Sequence, residues 1–277
     1  MASKVNLNGY FERIGFSGSI APTAKTLELL HALHPASIPF ENLSPLMGEP
    51  VSLELGAIER KLIGEGRGGY CLEHNLLLKA VLEELDFTVR TLAARVLWNH
   101  PEGGEAKPTH MVLAVEIGGT TYLADPGFGG LALTAPLKLR ADVEQTTPHE
   151  TFRLSGGDPV WTLEAKLGEE WRALYAFEIT ETATEAFTPI NDYLSGDASS
   201  PFTSELRVAL SPSGKRLALK NNRFTVHFED GESEVRLLET VEDIKTVLEQ
   251  DFGLTLPSAD QLDLALERIL PVSPGDA

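Results

Sequence analysis

The hydrophobic period of this chain first changes between Leu85 and Thr88. Ahead of that point apolar residues recur at helical spacing. Beyond it they fall into short runs rich in β-branched and aromatic residues. Helices gathered before strands describe an α+β chain. The spacing of Leu27, Leu30, Leu33 and His34 predicts a helix from Thr23 to His34, stopped by Pro35. A second helix is expected over Leu53–Ile63, ending near Gly64 and Gly66, and a third from Cys71 to about Leu85. In the third, Leu72, Leu76, Leu78, Val81, Leu82 and Leu85 give a broad buried face.

Strands are expected over Thr88–Trp98, His110–Ile117 and Thr120–Asp125, the last two joined by Gly118-Gly119 as a tight hairpin turn. Thr151–Leu154, Trp161–Leu167 and Trp171–Ile179 follow, so the middle third reads as a small β-barrel or curled sheet. Residues 180–200 read as polar and irregular. The last third carries strands at Leu206–Leu210, Lys215–Lys220, Arg223–Phe228 and Glu234–Leu238. A helix then runs from Thr240 to about Phe252, with Asp243 as capping partner, and a final helix is expected over Ser258–Leu270. A length of 277 residues suggests two or three subdomains sharing a core.

The formal net charge of −18 repels nucleic-acid phosphate and argues against a DNA or RNA partner. No apolar stretch approaches the roughly 20 residues that cross a bilayer. The opening Met1–Phe16 is polar and charged, without the apolar core of a secretion leader. The cytoplasm is therefore the expected compartment. One cysteine, Cys71, allows neither an internal disulfide nor a cysteine-rich zinc site. His31, His34, His74, His100, His110, His149 and His227 form no compact metal-ligand motif, and no metal is expected.

Cys71 follows Arg67-Gly68-Gly69-Tyr70 and opens the third helix. A helix N-terminus supplies partial positive charge and free N–H groups, which favour a nucleophilic sulfur anion. The competing reading is a small buried hydrophobe. A base is available in the hairpin. A Gly118-Gly119 turn pairs Ile117 with Thr120 and puts Asp125 opposite Val112. His110, two residues from Val112, then shares a face with Asp125 as its diagonal neighbour. Cys, His and Asp together can attack a thioester, hold a proton and fix an imidazole. Spacing alone does not bring Cys71 to His110.

Six segments carry a family resemblance. Arg67-Gly68-Gly69-Tyr70-Cys71-Leu72-Glu73-His74-Asn75 resembles the Arg-Gly-Gly-x-Cys-x-Glu-x-Asn signature of the arylamine N-acetyltransferases. Ile38-Pro39-Phe40-Glu41-Asn42-Leu43 is similar to the family's Pro-Phe-Glu-Asn-Leu segment. Thr109-His110-Met111-Val112-Leu113 and Tyr122-Leu123-Ala124-Asp125-Pro126-Gly127-Phe128-Gly129 resemble its histidine and aspartate blocks. Ser200-Pro201-Phe202 and Arg223-Phe224-Thr225 are similar to later landmarks. Pro126 departs from the valine often found after the aspartate. It biases Asp125 toward extended backbone, which suits a strand end.

The resemblance implies an N-terminal helical bundle, a central β-barrel and a C-terminal α/β lid, here at 1–86, 87–200 and 201–277. It implies a triad like that of papain-like peptidases and transglutaminases, with Cys71 as nucleophile, His110 as base and Asp125 as orienter. It implies acetyl-coenzyme A as donor and an aromatic amine, hydrazine or hydrazide as acceptor. Gly127, Gly129, Gly130 and Thr109 would face coenzyme A, and Phe128, Phe40 and Phe202 the acceptor. Arg67 would be structural, pairing with Glu41 or Glu73. An amide synthase of the same fold, a different acyl-coenzyme A donor, a cysteine hydrolase and a binding protein with a decayed site are the competing readings.

Overall fold

The computed structural model describes residues 4–99, 107–257 and 259–271. The first third holds α1 (Leu7–Ile14), α2 (Ala24–Ser37), the short strand β1 (Phe40–Glu41), α3 (Leu43–Met47), α4 (Leu55–Glu59), a π-helical turn at Arg60–Gly64 and α5 (Cys71–Glu84). Several of these depart from expectation, the short elements β1 and α3 and the π-helical turn among them. Helix α1 was not anticipated; Asn6 caps it by accepting the Gly9 N–H, and Gly15 closes it in the left-handed region. Helix α2 runs through Pro35 to Ser37. A proline removes one N–H and is disruptive in a helix interior. Here it falls in the last turn, where the Ile38 N–H still reaches the His34 carbonyl at 2.9 Å.

The middle third is an antiparallel sheet: β2 (Thr88–Val96), β3 (Pro108–Ile117), β4 (Thr120–Ala124), β5 (Leu137–Lys138), β6 (Gln145–Thr146), β7 (Thr151–Gly157), β8 (Val160–Leu167) and β9 (Glu170–Glu178). The spatial order is β5-β4-β3-β2-β9-β8-β7-β6. Its two ends meet through one side chain. Gln145 donates to the Lys138 carbonyl at 2.9 Å and accepts the Lys138 N–H at 2.8 Å, as a neighbouring strand would. The sheet is thus a nearly closed barrel. Strand β3 has both faces buried. Met111, Leu113 and Val115 pack with the helices, while Val112 and Ala114 face the barrel core with Leu123, Phe152 and Tyr175. That explains its unbroken apolar run.

Residues 180–200 are more ordered than expected. A 3-10 turn at Thr184–Phe187 leads into α6 (Thr188–Gly196). Pro189 suits its first turn. Phe187 and Leu194 enter the helical core, too few apolar positions to show a period. After α7 (Pro201–Ser204) come β10 (Arg207–Leu210), β11 (Lys215–Lys220), β12 (Arg223–Phe228), β13 (Ser233–Leu237), α8 (Val241–Gln250) and α9 (Ala259–Glu267). The second sheet has the order β1-β10-β11-β12-β13, so a strand from the first third joins it. Leu43 and Leu46 likewise share a core with Leu217, Ile244 and Leu262. The α+β class and its sequence of helices, barrel and mixed C-terminal layer are as expected.

Candidate active site

The two N-terminal motifs lie against each other. The Glu41 N–H bonds the Gly69 carbonyl at 2.8 Å, and the Gly69 N–H bonds Pro39 O at 3.3 Å. A Cβ on Gly68 would stand 2.0 Å from Pro39 O, so only glycine allows this approach. Arg67 donates twice to Glu41 Oε1, at 3.1 and 2.9 Å. Glu73 pairs instead with Lys61 at 2.8 Å and accepts the Tyr70 N–H at 3.0 Å. These four charges balance, as a buried group of ions requires. Burial opposes ionisation of Glu41, but Lys61 and Arg67 outweigh it and hold its carboxyl below the usual range. Asn42 stitches the segment to the last third, donating to the Phe202 and Glu205 carbonyls and accepting the Arg207 N–H.

This frame fixes the start of α5. Tyr70 occupies the N-cap without a side-chain acceptor for the first-turn N–H groups, which remain available around Cys71. Cys71 is buried. Across from it, β3 and β4 pair as the hairpin register requires, Ile117 with Thr120 through Leu113 with Ala124. Gly118 and Gly119 both take positive φ. His110 and Asp125 therefore meet on the barrel face, Nε2 to Oδ2 at 2.8 Å. The register of β2 against β3 jumps from Ala94↔His110 to Arg95↔Pro108, leaving Thr109 as the extra residue of a β-bulge. Bulges re-aim neighbouring side chains, and this one adjoins His110.

Asp125 is held on every side. Asn75 donates to Oδ1 at 2.9 Å and to the Met111 carbonyl at 2.7 Å, and the Gly127 N–H reaches Oδ1 at 3.1 Å. Burial works against a carboxylate here, yet His110 outweighs it and keeps the Asp125 pKa below its ordinary value. For His110 burial opposes the cation, but Asp125 first and then Cys71 raise the pKa to about 10. At neutral pH the imidazole is charged, with Nε2 on Asp125. Asn75 was not anticipated, although it stands four residues after Cys71, on the same helix face.

A second set of histidines backs the site. Tyr10 Oη, His34 Nδ1, His34 Nε2, His74 Nδ1, His74 Nε2 and Pro39 O form a chain with contacts of 2.8, 2.8 and 3.1 Å. A carbonyl only accepts, so His74 Nε2–H donates to it. His74 Nδ1 then accepts from His34 Nε2–H, and His34 Nδ1 from the Tyr10 hydroxyl. Both imidazoles are neutral: burial lowers the His74 pKa to about 4, and burial followed by His74 pushes His34 well down. Among the described residues no three His, Cys, Asp or Glu side chains are grouped to hold a metal ion; His100 lies outside them.

A family model described as N-acetyltransferase matches residues 23–261. The arylamine N-acetyltransferase of Escherichia coli is 38% identical over 255 residues, covering 91% of this chain and 90% of its own. That of Mycobacterium tuberculosis is 35% identical over 279 residues, covering 98% of each. The chain belongs to the arylamine N-acetyltransferase family. The solved structure of the Mycobacterium marinum arylamine N-acetyltransferase in complex with CoA superposes with a TM-score of 0.92 at 35% identity, over 96% of this chain and 100% of that one.

The remaining residues singled out from the sequence of this arylamine N-acetyltransferase relative fall into two groups. Phe128 sets its edge on the His110 ring at 5.3 Å and lies 5.1 Å from Tyr175. Phe40 stacks on His74 at 6.4 Å and meets Phe202 at 6.0 Å. Phe128 thus contacts the His110 ring, while Phe202 also lies 5.7 Å from Tyr70, the residue before Cys71. Of the glycines, Gly127 lies against Cys71 itself: a Cβ there would stand 2.9 Å from the Cys71 carbonyl and 3.0 Å from Asn75 Nδ2. Its missing side chain serves that packing. Gly129 opens a 3-10 turn beside Phe40, and Gly130 faces open space.

Proposed function

We propose that this protein transfers acetyl from acetyl-coenzyme A to the nitrogen of an arylamine, arylhydrazine or hydrazide through a thioester on Cys71. The observation that carries the reading is the His110–Asp125 pair, tied by Asn75 to the helix that opens on the only cysteine, inside a family of arylamine N-acetyltransferases. With the shared proton on His110, the Cys71 sulfur attacks the acetyl carbonyl carbon as a thiolate. The carbon–sulfur bond to coenzyme A breaks, and the departing thiolate takes the proton from His110 Nδ1. The amine then attacks the acetyl-cysteine, neutral His110 takes the amine proton, and the bond to Cys71 Sγ breaks. The backbone N–H of Cys71 at the head of α5 is the candidate donor for the oxyanion of both steps.

The same reading gives Phe128, Phe40 and Phe202 to the acceptor, and Gly127, Gly129, Gly130 and Thr109 to coenzyme A. It treats 1–86, 87–200 and 201–277 as working units, with the nucleophile on the first and the base on the second. It places the chain in the cytoplasm, where a reducing environment keeps Cys71 a free thiol. No helix among the described residues is long and apolar enough to cross a membrane. Steady-state kinetics tests the reaction. Double-reciprocal plots at several arylamine concentrations should be parallel, as a ping-pong mechanism demands. Converging lines would mean a ternary complex and would contradict the cysteine thioester.

A further inference from the structure

Helix α2 sends one side chain to the end of β4. His31 is fully buried, and its Nε2 lies 2.9 Å from the main-chain nitrogen of Asp125. Asp125 is the residue after the last ladder pair, Leu113↔Ala124, so the β3–β4 ladder does not satisfy its N–H. Its carbonyl is taken by the Leu133 N–H at 3.2 Å. His31 is therefore the acceptor that completes the backbone of Asp125. Burial, only partly offset by Asp125, holds the His31 pKa near 4, leaving Nε2 bare at neutral pH. Among the described residues the other nitrogen, Nδ1, has no partner. A half-satisfied buried imidazole is a poor choice for stability alone, since an apolar side chain would carry no unpaired N–H.

We propose that His31 is a positioning residue of the acyl-transfer site, fixing the Asp125 backbone through Nε2 so that the carboxylate meets His110. The proposal rests on the reading that Asp125 orients His110. Without His31 the Asp125 N–H is a buried donor in search of an acceptor, and the adjoining carboxylate is a local competitor for it. Any such bond draws Asp125 from His110, and the imidazolium–thiolate pair weakens.

Two substitutions separate positioning from packing. Gln in place of His31 keeps an acceptor oxygen near the position of Nε2; Leu fills the space and removes it. The rate of Cys71 acetylation by acetyl-coenzyme A and the pH profile of its alkylation by iodoacetamide are measured in wild type, His31→Gln and His31→Leu. The expected result is acetylation within about threefold of wild type for His31→Gln and slower by about tenfold or more for His31→Leu, with KM for the donor unchanged and only the Leu profile displaced to higher pH. Folded His31→Leu behaving as wild type, or both variants falling alike, would overturn the proposal. Should His31→Leu not fold, the wild-type imidazole 15N shifts, assigned with His31→Gln, decide: a bare Nε2 and protonated Nδ1 support it, and a protonated Nε2 sinks it. A wild type that takes no acetyl but alkylates normally would count against the acetyl donor, while the alkylation profiles still judge His31.

Discussion

The chemistry depends on single atoms around Asp125. Asp125→Asn removes the charge that keeps His110 protonated and lets its pKa fall from about 10 toward the ordinary value. Cys71 acetylation should slow by about 10²–10⁴ with little change in fold, as stopped-flow acylation and circular dichroism would show. Asn75→Ala leaves Oδ1 and the Met111 carbonyl without their donor. A loss of about 1–3 kcal/mol in urea unfolding is expected, together with a lower acetylation rate. The meeting of His110 and Asp125 was legible because a Gly-Gly turn fixes hairpin register, and register fixes faces. The parts played by His31 and Asn75 were not, because each acts on a residue distant in sequence through contacts that no local spacing encodes.

At the scale of elements, two devices hold the site in place. One is the barrel seam, where the Gln145 amide pairs with both polar groups of Lys138. Gln145→Ala should lower stability by about 1–2 kcal/mol and raise hydrogen exchange in β5 and β6 before the rest of the sheet. The other is the junction of β1 with β10, where Asn42 ties the first third to the last. The longer strands and the long helix α5 were readable from period alone, and the turns from Gly, Asn and Asp, whereas the two-residue strands β1, β5 and β6 are too short to show a period. What period could not show was the passage of α2 through Pro35, which depends on distance from the helix end. Nor could it show α6, whose Phe187 and Leu194 are anchored by tertiary packing rather than by a face of their own.

At the scale of the whole molecule, the protein buries neutral imidazoles behind its catalytic face. His31 and His74 have folded pKa values near 4 against an ordinary value of 6.5. The unfolded chain therefore binds more protons than the folded one between those limits. Stability present above about pH 6.5 is lost as pH falls toward 4, by about 3 kcal/mol for each such histidine. Thermal melts across that range should show a falling midpoint, and potentiometric titration should show proton uptake on unfolding; a flat profile would contradict the neutral assignment. The motifs of the family resemblance are contact points between segments far apart in sequence. Phe40, Glu41 and Asn42 touch His74, Arg67 and Arg207, respectively. Such contacts constrain residue types over long separations, which is why short motifs revealed so much of the architecture.

The central claim is that Cys71 carries the acetyl group between donor and amine. Intact-protein mass spectrometry tests it most directly: the reduced protein is mixed with acetyl-coenzyme A, then with an aminobenzoate or a hydrazide. The account predicts a single acetyl adduct that is absent from Cys71→Ala and discharged by the amine. A folded wild type that acquires no adduct, or an adduct that persists in Cys71→Ala, would contradict it.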